Sequence, residues 1–293
     1  MKYHGSVTFA VEAVVQHGHE QVSRVISSHR QSPVHVRTAF ISDIHLGTRE
    51  CRADLLLDFL HRVQPEVLIL AGDIVDLWSL RRSFYWPQSH NNVLRTILGK
   101  AKHGRRVIYV PGNHDIELRE YAGFVFGNLE VHREYIHTTA AGARLLVMHG
   151  DEFEGAVDCA RWLAALGSWA YDRTMSANRH FNALRRRMGF RYWSLASYLK
   201  SKVGNAAQYV RRFEQAAAHE AHRRGLDGIV CGHIHRPQLV NVGGVLYCND
   251  GDWVENCTVL VETRSGELQL WDWGERHLEL SGAQPVAPSV RAA

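Results

Sequence analysis

The 293-residue chain lacks any apolar run of about 18 residues, which excludes a membrane-spanning helix. Cysteine is scarce: five residues, odd in number and widely scattered, make no disulfide framework and suit a reducing compartment. No internal repeat is present, and the composition excludes both a collagen-like and a disordered chain. An excess of one charge is missing as well. Thirty-four Lys and Arg against 30 Asp and Glu leave +4, too little to require a nucleic-acid partner. The N-terminus does not carry the charged-then-apolar pattern of a secretory signal, so a cytoplasmic protein is expected. What is there is 45% hydrophobic residues, enough for a core in one large domain or two smaller ones. There are also 19 His, whose placement carries the chemistry.

Residues 1–33 show weak periodicity and read as a poorly anchored extension. From Val36 a rhythm begins. The runs Val36 to Ile41, Val67 to Leu70, Val107 to Val110, Leu145 to Met148 and Ile229 to Cys231 are short, apolar and often β-branched, as buried strands are. Leu55, Leu56, Phe59, Leu60 and Val63 recur at helical spacing between the first two. Val93, Leu94, Ile97 and Leu98 do so between the second and third, with Gly104 placed to close that helix. The alternation predicts right-handed crossovers and a largely parallel inner sheet. Val245 to Cys248, Val259 to Val261 and Leu268 to Trp271, joined by short Gly-containing links, predict hairpins in a second, mixed sheet. Residues 152–224 break the rhythm with helical spacing and no strand, which predicts a helical insertion within a domain of residues 34–280. Residues 281–293 are small and Pro-containing, and disorder is expected there.

Each of the first five strands ends in residues able to bind a metal. Asp43-Ile44-His45 follows the first, Gly72-Asp73 the second and Gly112-Asn113-His114-Asp115 the third; His149-Gly150 and Gly232-His233-Ile234-His235 follow the other two. In open α/β sheets ligands bind beyond the carboxyl ends of the strands, so five loops are expected to converge on one rim. The donor set of Asp43, His45, Asp73, Asn113, His149, His233 and His235 mixes oxygen and nitrogen without thiolate. That suits two borderline divalent ions, Mn foremost, with Fe and Zn as alternatives, better than Ca or Mg. A carboxylate bridging such a pair sets up two-metal hydrolysis.

In order and composition, these five motifs resemble the calcineurin-like metallophosphoesterase superfamily over about residues 36–272. The resemblance implies a four-layer α/β/β/α sandwich with a helical insertion and a dinuclear site at the top of the sheets. It implies that Asp43, His45 and His235 hold one ion, that Asn113, His149 and His233 hold the other, and that Asp73 bridges them. His114 would assist the leaving group as catalytic acid, and Asp115 beside it would fix the imidazole tautomer. A metal-activated hydroxide would be the nucleophile. Ser42-Asp43-Ile44-His45-Leu46-Gly47, Gly72-Asp73-Ile74-Val75-Asp76-Leu77-Trp78, Gly232-His233-Ile234-His235-Arg236-Pro237 and Gly251-Asp252-Trp253 are similar to the UDP-2,3-diacylglucosamine diphosphatase family. That family acts in lipid A biosynthesis at the cytoplasmic face of the inner membrane. It usually carries Arg directly after the motif Asn, where this chain has His114, the wider superfamily's pattern. The expected substrate is therefore UDP-2,3-diacylglucosamine or a similar nucleotide-linked lipid; the alternative is phosphatase or phosphodiesterase action on a soluble substrate such as a nucleotide.

Asp76 suits either support of the site or helix capping. Arg236 adjoins a ligand, and Arg81 and Arg82 lie in the loop beyond Asp76, so all three are candidates to meet phosphate. The insertion holds 13 Lys and Arg against 6 Asp and Glu, with Arg185-Arg186-Arg187 among many aromatics. Three readings are open for it. It can be a substrate lid touching an anionic amphiphile at a peripheral, anionic membrane surface. It can be a helical hairpin packed on the core. Or it can stack single-stranded bases, although the overall charge leads to no expectation of nucleic acid.

Overall fold

The computed structural model of the chain describes residues 33–156 and 204–274. A compact unit begins at His35; of the expected extension of residues 1–33, residues 1–32 lie outside the described residues, as does the tail of residues 281–293. Among the described residues twelve strands form two sheets. The first has the order β12-β11-β1-β2-β3-β5-β4, built from β1 (Val34–Ile41), β2 (Val63–Ala71), β3 (Arg106–Val110), β4 (Val125–Phe126), β5 (Leu129–Val131), β11 (Thr258–Glu262) and β12 (Leu268–Asp272). The second has the order β6-β7-β8-β10-β9, built from β6 (Tyr135–Thr138), β7 (Arg144–Val147), β8 (Gly228–Cys231), β9 (Gln238–Val242) and β10 (Val245–Asn249).

The strands that precede the candidate ligands are buried on both faces, and their side chains alternate between two cores. Ile41, Leu68, Leu70 and Val107 point to one side, where they meet Leu56, Phe59 and Leu60 of α1 (Ala53–Arg62) and Val93 and Ile97 of α3 (Gln88–Lys102). Phe40, Ile69, Ile108 and Val110 point to the other, against Leu145, Val147 and Val230 of the second sheet. Leu146, Ile229 and Tyr247 in turn face Phe213, Ala217 and Ala221 of α4 (Gly204–Arg223). Helix, sheet, sheet and helix therefore stack as the expected α/β/β/α layers. Each fully buried Phe or Leu contributes about 1.5–3 kcal/mol to this stack. α3 ends as its sequence predicts, with Gly104 at φ +86° and its amide bonded to the Ala101 carbonyl.

The partition of strands between sheets differs from the sequence expectation. β7 and β8 belong to the second sheet, while β11 pairs antiparallel with β1 and carries β12 into the first. Both sheets bury two faces, so the apolar alternation of Val259 to Val261 is the same in either, and periodicity cannot choose between them. β4 is exposed and β5, β6 and β9 are short and only partly buried, so no apolar run announces them. Of the expected insertion, a 3-10 turn (Asp151–Ala156) and α4 are described, and residues 157–203 lie outside the described residues. Among the described residues no helix is long and apolar enough to cross a membrane.

Candidate metal centre

Register brings the loops to one edge. β2 and β3 run parallel and end level, Ala71 opposite Val110, so Asp73 and Asn113 emerge together; β7 and β8 do the same for His149 and His233. Backbone bonds tie the loops: Asp43 N to Gly72 O at 3.0 Å, His45 N to Asp73 O at 2.9 Å, and Gly232 N to His149 O at 3.1 Å. The turns are tight. Asp43, His45, Asp73, His233 and His235 all adopt left-handed φ between 49° and 66°, and Cys257 is the one other non-glycine residue to do so among those described. Each such conformation costs on the order of 1 kcal/mol and persists where the surroundings over-determine it. Gly112 and Gly232 let side chains press against bare backbone: a Cβ would overlap the Asp73 carboxylate at the first and the Asp43 carboxylate at the second.

The seven predicted ligands converge. His235 Nε2 is 3.0 Å from Asp43 Oδ1, and His45 Nε2 is 3.8 Å from both Asp43 Oδ1 and Asp73 Oδ2. His149 Nε2 lies 3.3 Å from Asp73 Oδ2 and 3.1 Å from Asn113 Oδ1. The His233 ring sits 5.1 Å from that of His149, centre to centre, with its Nε2 2.9 Å from Glu154 Oε1. Three triads, Asp43/His45/His235, Asp43/Asp73/His149 and His45/Asp73/His114, each bring their ligand atoms within 4.8 Å of one another.

Charge explains why these groups tolerate one another. Burial alone would raise the Asp43 carboxyl, but the imidazoles of His235, His149 and His45 hold it well below the usual carboxylate range. Burial likewise opposes ionisation of Asp73, and His149 and His45 override it. Conversely, burial opposes protonation of His149, yet the Asp73 and Asp43 charges raise the ring to about 10. The two buried carboxylates demand positive charge at this rim. Asp43 Oδ1 and His45 Nε2 are buried without a hydrogen-bond partner, although the donor atoms around them are close. Buried polar atoms are almost always satisfied, so lone pairs converging on one spot fit a cation.

The surroundings of His114 correct one expectation. Asp115 does not reach the imidazole. It is buried and accepts from the backbone amides of Gly112 (2.6 Å) and Ile74 (2.8 Å) and from the Tyr109 hydroxyl (2.5 Å), thereby stapling the Asp73 loop to the Asn113 loop. Neighbours in a turn diverge in space, and Asp115 turns inward. The carboxylate beside His114 is Asp76, with Oδ2 3.0 Å from His114 Nδ1 and 3.1 Å from His45 Nδ1. Its other oxygen accepts the Ser79 amide at 2.7 Å and caps α2 (Leu77–Arg82), so Asp76 both supports the site and caps a helix. Burial would raise the Asp76 carboxyl, but His114 and His45 pull it far down. Trp78, 45% exposed, lies on the His114 ring at 4.5 Å.

Of the predicted phosphate contacts, Arg236 is exposed beside His235, and Arg81 pairs with Glu117 at 2.7 Å. Arg185, Arg186 and Arg187 lie outside the described residues. Sequence reasoning missed Ser42 and Asp250. Ser42 Oγ is 2.6 Å from Asp43 Oδ2 and 2.7 Å from Asp250 Oδ1, while burial and the Asp43 charge push the Asp250 carboxyl well up against the opposing Ser42 bond. The available signal was positional: Ser42 precedes the first ligand, and Asp250 follows a buried strand, as the ligands do.

The calcineurin-like phosphoesterase family matches residues 36–237. The chain is 30% identical over 243 residues to the UDP-2,3-diacylglucosamine hydrolase of Xanthomonas campestris pv. campestris (strain B100), covering 76% of this chain and 94% of that one. It is 29% identical to the protein of that name from Xanthomonas axonopodis pv. citri (strain 306), with the same coverage. Among solved structures it is similar to Yfce, a phosphoesterase from E. coli, at 15% identity and a TM-score of 0.41, covering 80% of this chain and 98% of that one. By the match over residues 36–237 the chain belongs to the calcineurin-like phosphoesterases, a dimetal-dependent family, and is itself a metal-dependent phosphoesterase.

Proposed function

We propose that the chain hydrolyses UDP-2,3-diacylglucosamine or a similar nucleotide-linked lipid, and that its two ions are Mn. The observation that carries the substrate is identity sustained over 94% of the length of a protein named for that compound. Asp43, His45 and His235 would hold one ion and Asn113, His149 and His233 the other, with Asp73 shared by both. When bound, the pair supplies Lewis acidity and a nucleophile at neutral pH.

The chain's own residues do the remaining work. His114 donates a hydrogen bond, or a proton, to the departing oxygen through Nε2, which lies 3.9 Å from Asp73 Oδ2. The Asp76 carboxylate lies 3.0 Å from Nδ1, and Trp78 covers one face of the ring, so charge and packing orient the imidazole. Asp115 fixes the two loops through their amides. Arg236, with Arg185, Arg186 and Arg187, meets the anionic parts of the substrate at a peripheral position on the inner face of the inner membrane.

A second reading, hydrolysis of a soluble phosphomonoester or phosphodiester, is favoured by His114, which stands where the lipid A enzymes usually carry Arg. One assay separates the two. Mn-loaded protein is offered UDP-2,3-diacylglucosamine, an aryl phosphate and an aryl phosphodiester side by side. The first reading expects kcat/KM on the lipid to exceed both aryl substrates by orders of magnitude. Preference for an aryl substrate overturns it.

A further inference from the structure

The turn after β7 carries a carboxylate that the dimetal scheme does not use. His149 and Gly150 lead into Asp151–Ala156, which is fastened on two sides. Phe153 is buried edge-on against Phe213, ring centres 5.6 Å apart, and Asp151 takes Arg119 Nη2 at 2.6 Å. Directly after the Phe153 anchor Glu154 projects to His233, where Oε1 lies 2.9 Å from Nε2. The His233 side chain is 10% exposed and that of Glu154 62%. A neutral imidazole has one N–H and one lone-pair nitrogen, and the hydrogen bond made by one decides the state of the other. A carboxylate can only accept, so it keeps the proton on Nε2. The His233 ring is also packed, against His149 at 5.1 Å and Phe213 at 6.1 Å, which resists the ring flip that would exchange its nitrogens.

We propose that Glu154 is a positioning residue for the second cation: it holds the proton of His233 on Nε2 and leaves the Nδ1 lone pair for the ion. This rests on the reading of His233 as a ligand. Carboxylates bonded to the far nitrogen of a ligating His orient the ring and raise its basicity, and their loss costs about 10–100-fold in metal affinity. The effect belongs to one ion, because Glu154 touches no ligand of the other.

The test titrates Mn into chelator-stripped, full-length protein by calorimetry and electron paramagnetic resonance, for the wild type, Glu154→Ala and Glu154→Gln. Two ions are expected in the wild type. In Glu154→Ala one of the two ions loses about 10–100-fold in affinity while the other is unchanged. Glu154→Gln, whose amide oxygen still accepts, recovers part of the loss. Nitrogen-15 spectra of the stripped protein should place His233 in the Nε2–H tautomer, and Glu154→Ala should mix the two. Unchanged affinity for the second ion, an equal loss for both ions, or a tighter second ion in Glu154→Ala overturns the role of Glu154 alone. A wild type that takes one ion overturns the dimetal reading and this inference together.

Discussion

Two places among the described residues bury His against carboxylate, and they are built in opposite ways. Where the sheets meet away from the rim, Glu262 is fully buried with both oxygens occupied. Arg37 and the Ala140 amide bond Oε1, and Thr38 and His137 bond Oε2 at 2.8 Å each. None of these residues has a left-handed backbone. At the rim, Asp43 and His45 are buried too, yet an oxygen of one and a nitrogen of the other lack hydrogen-bond partners, and five of the seven candidate ligands sit at positive φ. One cluster is complete without a ligand and ties β11 to β6. The other carries strain and unmet lone pairs that fit a cation. Composition does not separate them; satisfaction of the polar atoms does.

If that contrast is real, the two clusters should fail differently. Asp73→Asn is expected to do the most damage, since Asp73 belongs to two of the three ligand triads. Lewis-acid stabilisation is worth several kcal/mol, so kcat/KM should fall by about three orders of magnitude or more. The metal-free variant should melt close to the wild type by calorimetry, and a large loss of Tm would erase the distinction. His114→Ala comes next, with turnover down about 10²–10⁴-fold and Mn content retained by elemental analysis. Loss of metal instead would place His114 among the ligands, as its triad with His45 and Asp73 allows. Glu262→Gln reverses the pattern. Breaking a buried, charge-assisted network should cost about 3 kcal/mol of folding stability by urea titration, with kcat per folded molecule unaltered.

Much of the fold was legible because the strands before the ligands are buried on both faces. Phe40 and Ile41, or Ile69 and Leu70, are apolar in succession since each faces a different core. The same property hid the sheet partition, for β8 and β11 have equivalent patterns. The convergence of the seven candidate ligands was legible, since each follows a strand closely. Partners set by the third dimension were not. Ser42 and Asp250 meet across 208 positions, Glu154 reaches His233 across 79, and Asp115 turns away from the neighbour that sequence adjacency offered it. Asp76 shows the limit in one residue. Sequence left capping and site support as rivals, and two carboxylate oxygens allow both.

The smallest expected effect is on pH dependence, and it isolates the satisfied cluster. Burial opposes ionisation of Glu262, but His137, the Ala140 amide, Thr38 and Arg37 outweigh it and hold the carboxyl down, from an ordinary 4.5 to about 2. A carboxyl depressed on folding contributes stability above its unfolded value and loses it as pH falls through its folded value. The contribution of Glu262 is therefore full above about pH 5, partial at pH 3 and gone near pH 1. The rim carboxylates Asp43 and Asp73 are depressed as well, so the raw acid profile mixes both clusters. Subtraction separates them. The stability difference between wild type and Glu262→Gln, measured by urea unfolding of chelator-stripped protein, should shrink by about 1–2 kcal/mol between pH 5 and pH 3. Repeating the subtraction with Mn present should leave that shrinkage unchanged, because no ligand of the rim touches Glu262. A metal-dependent shrinkage would mean that the two clusters are coupled through the sheets, and the contrast between them would fail.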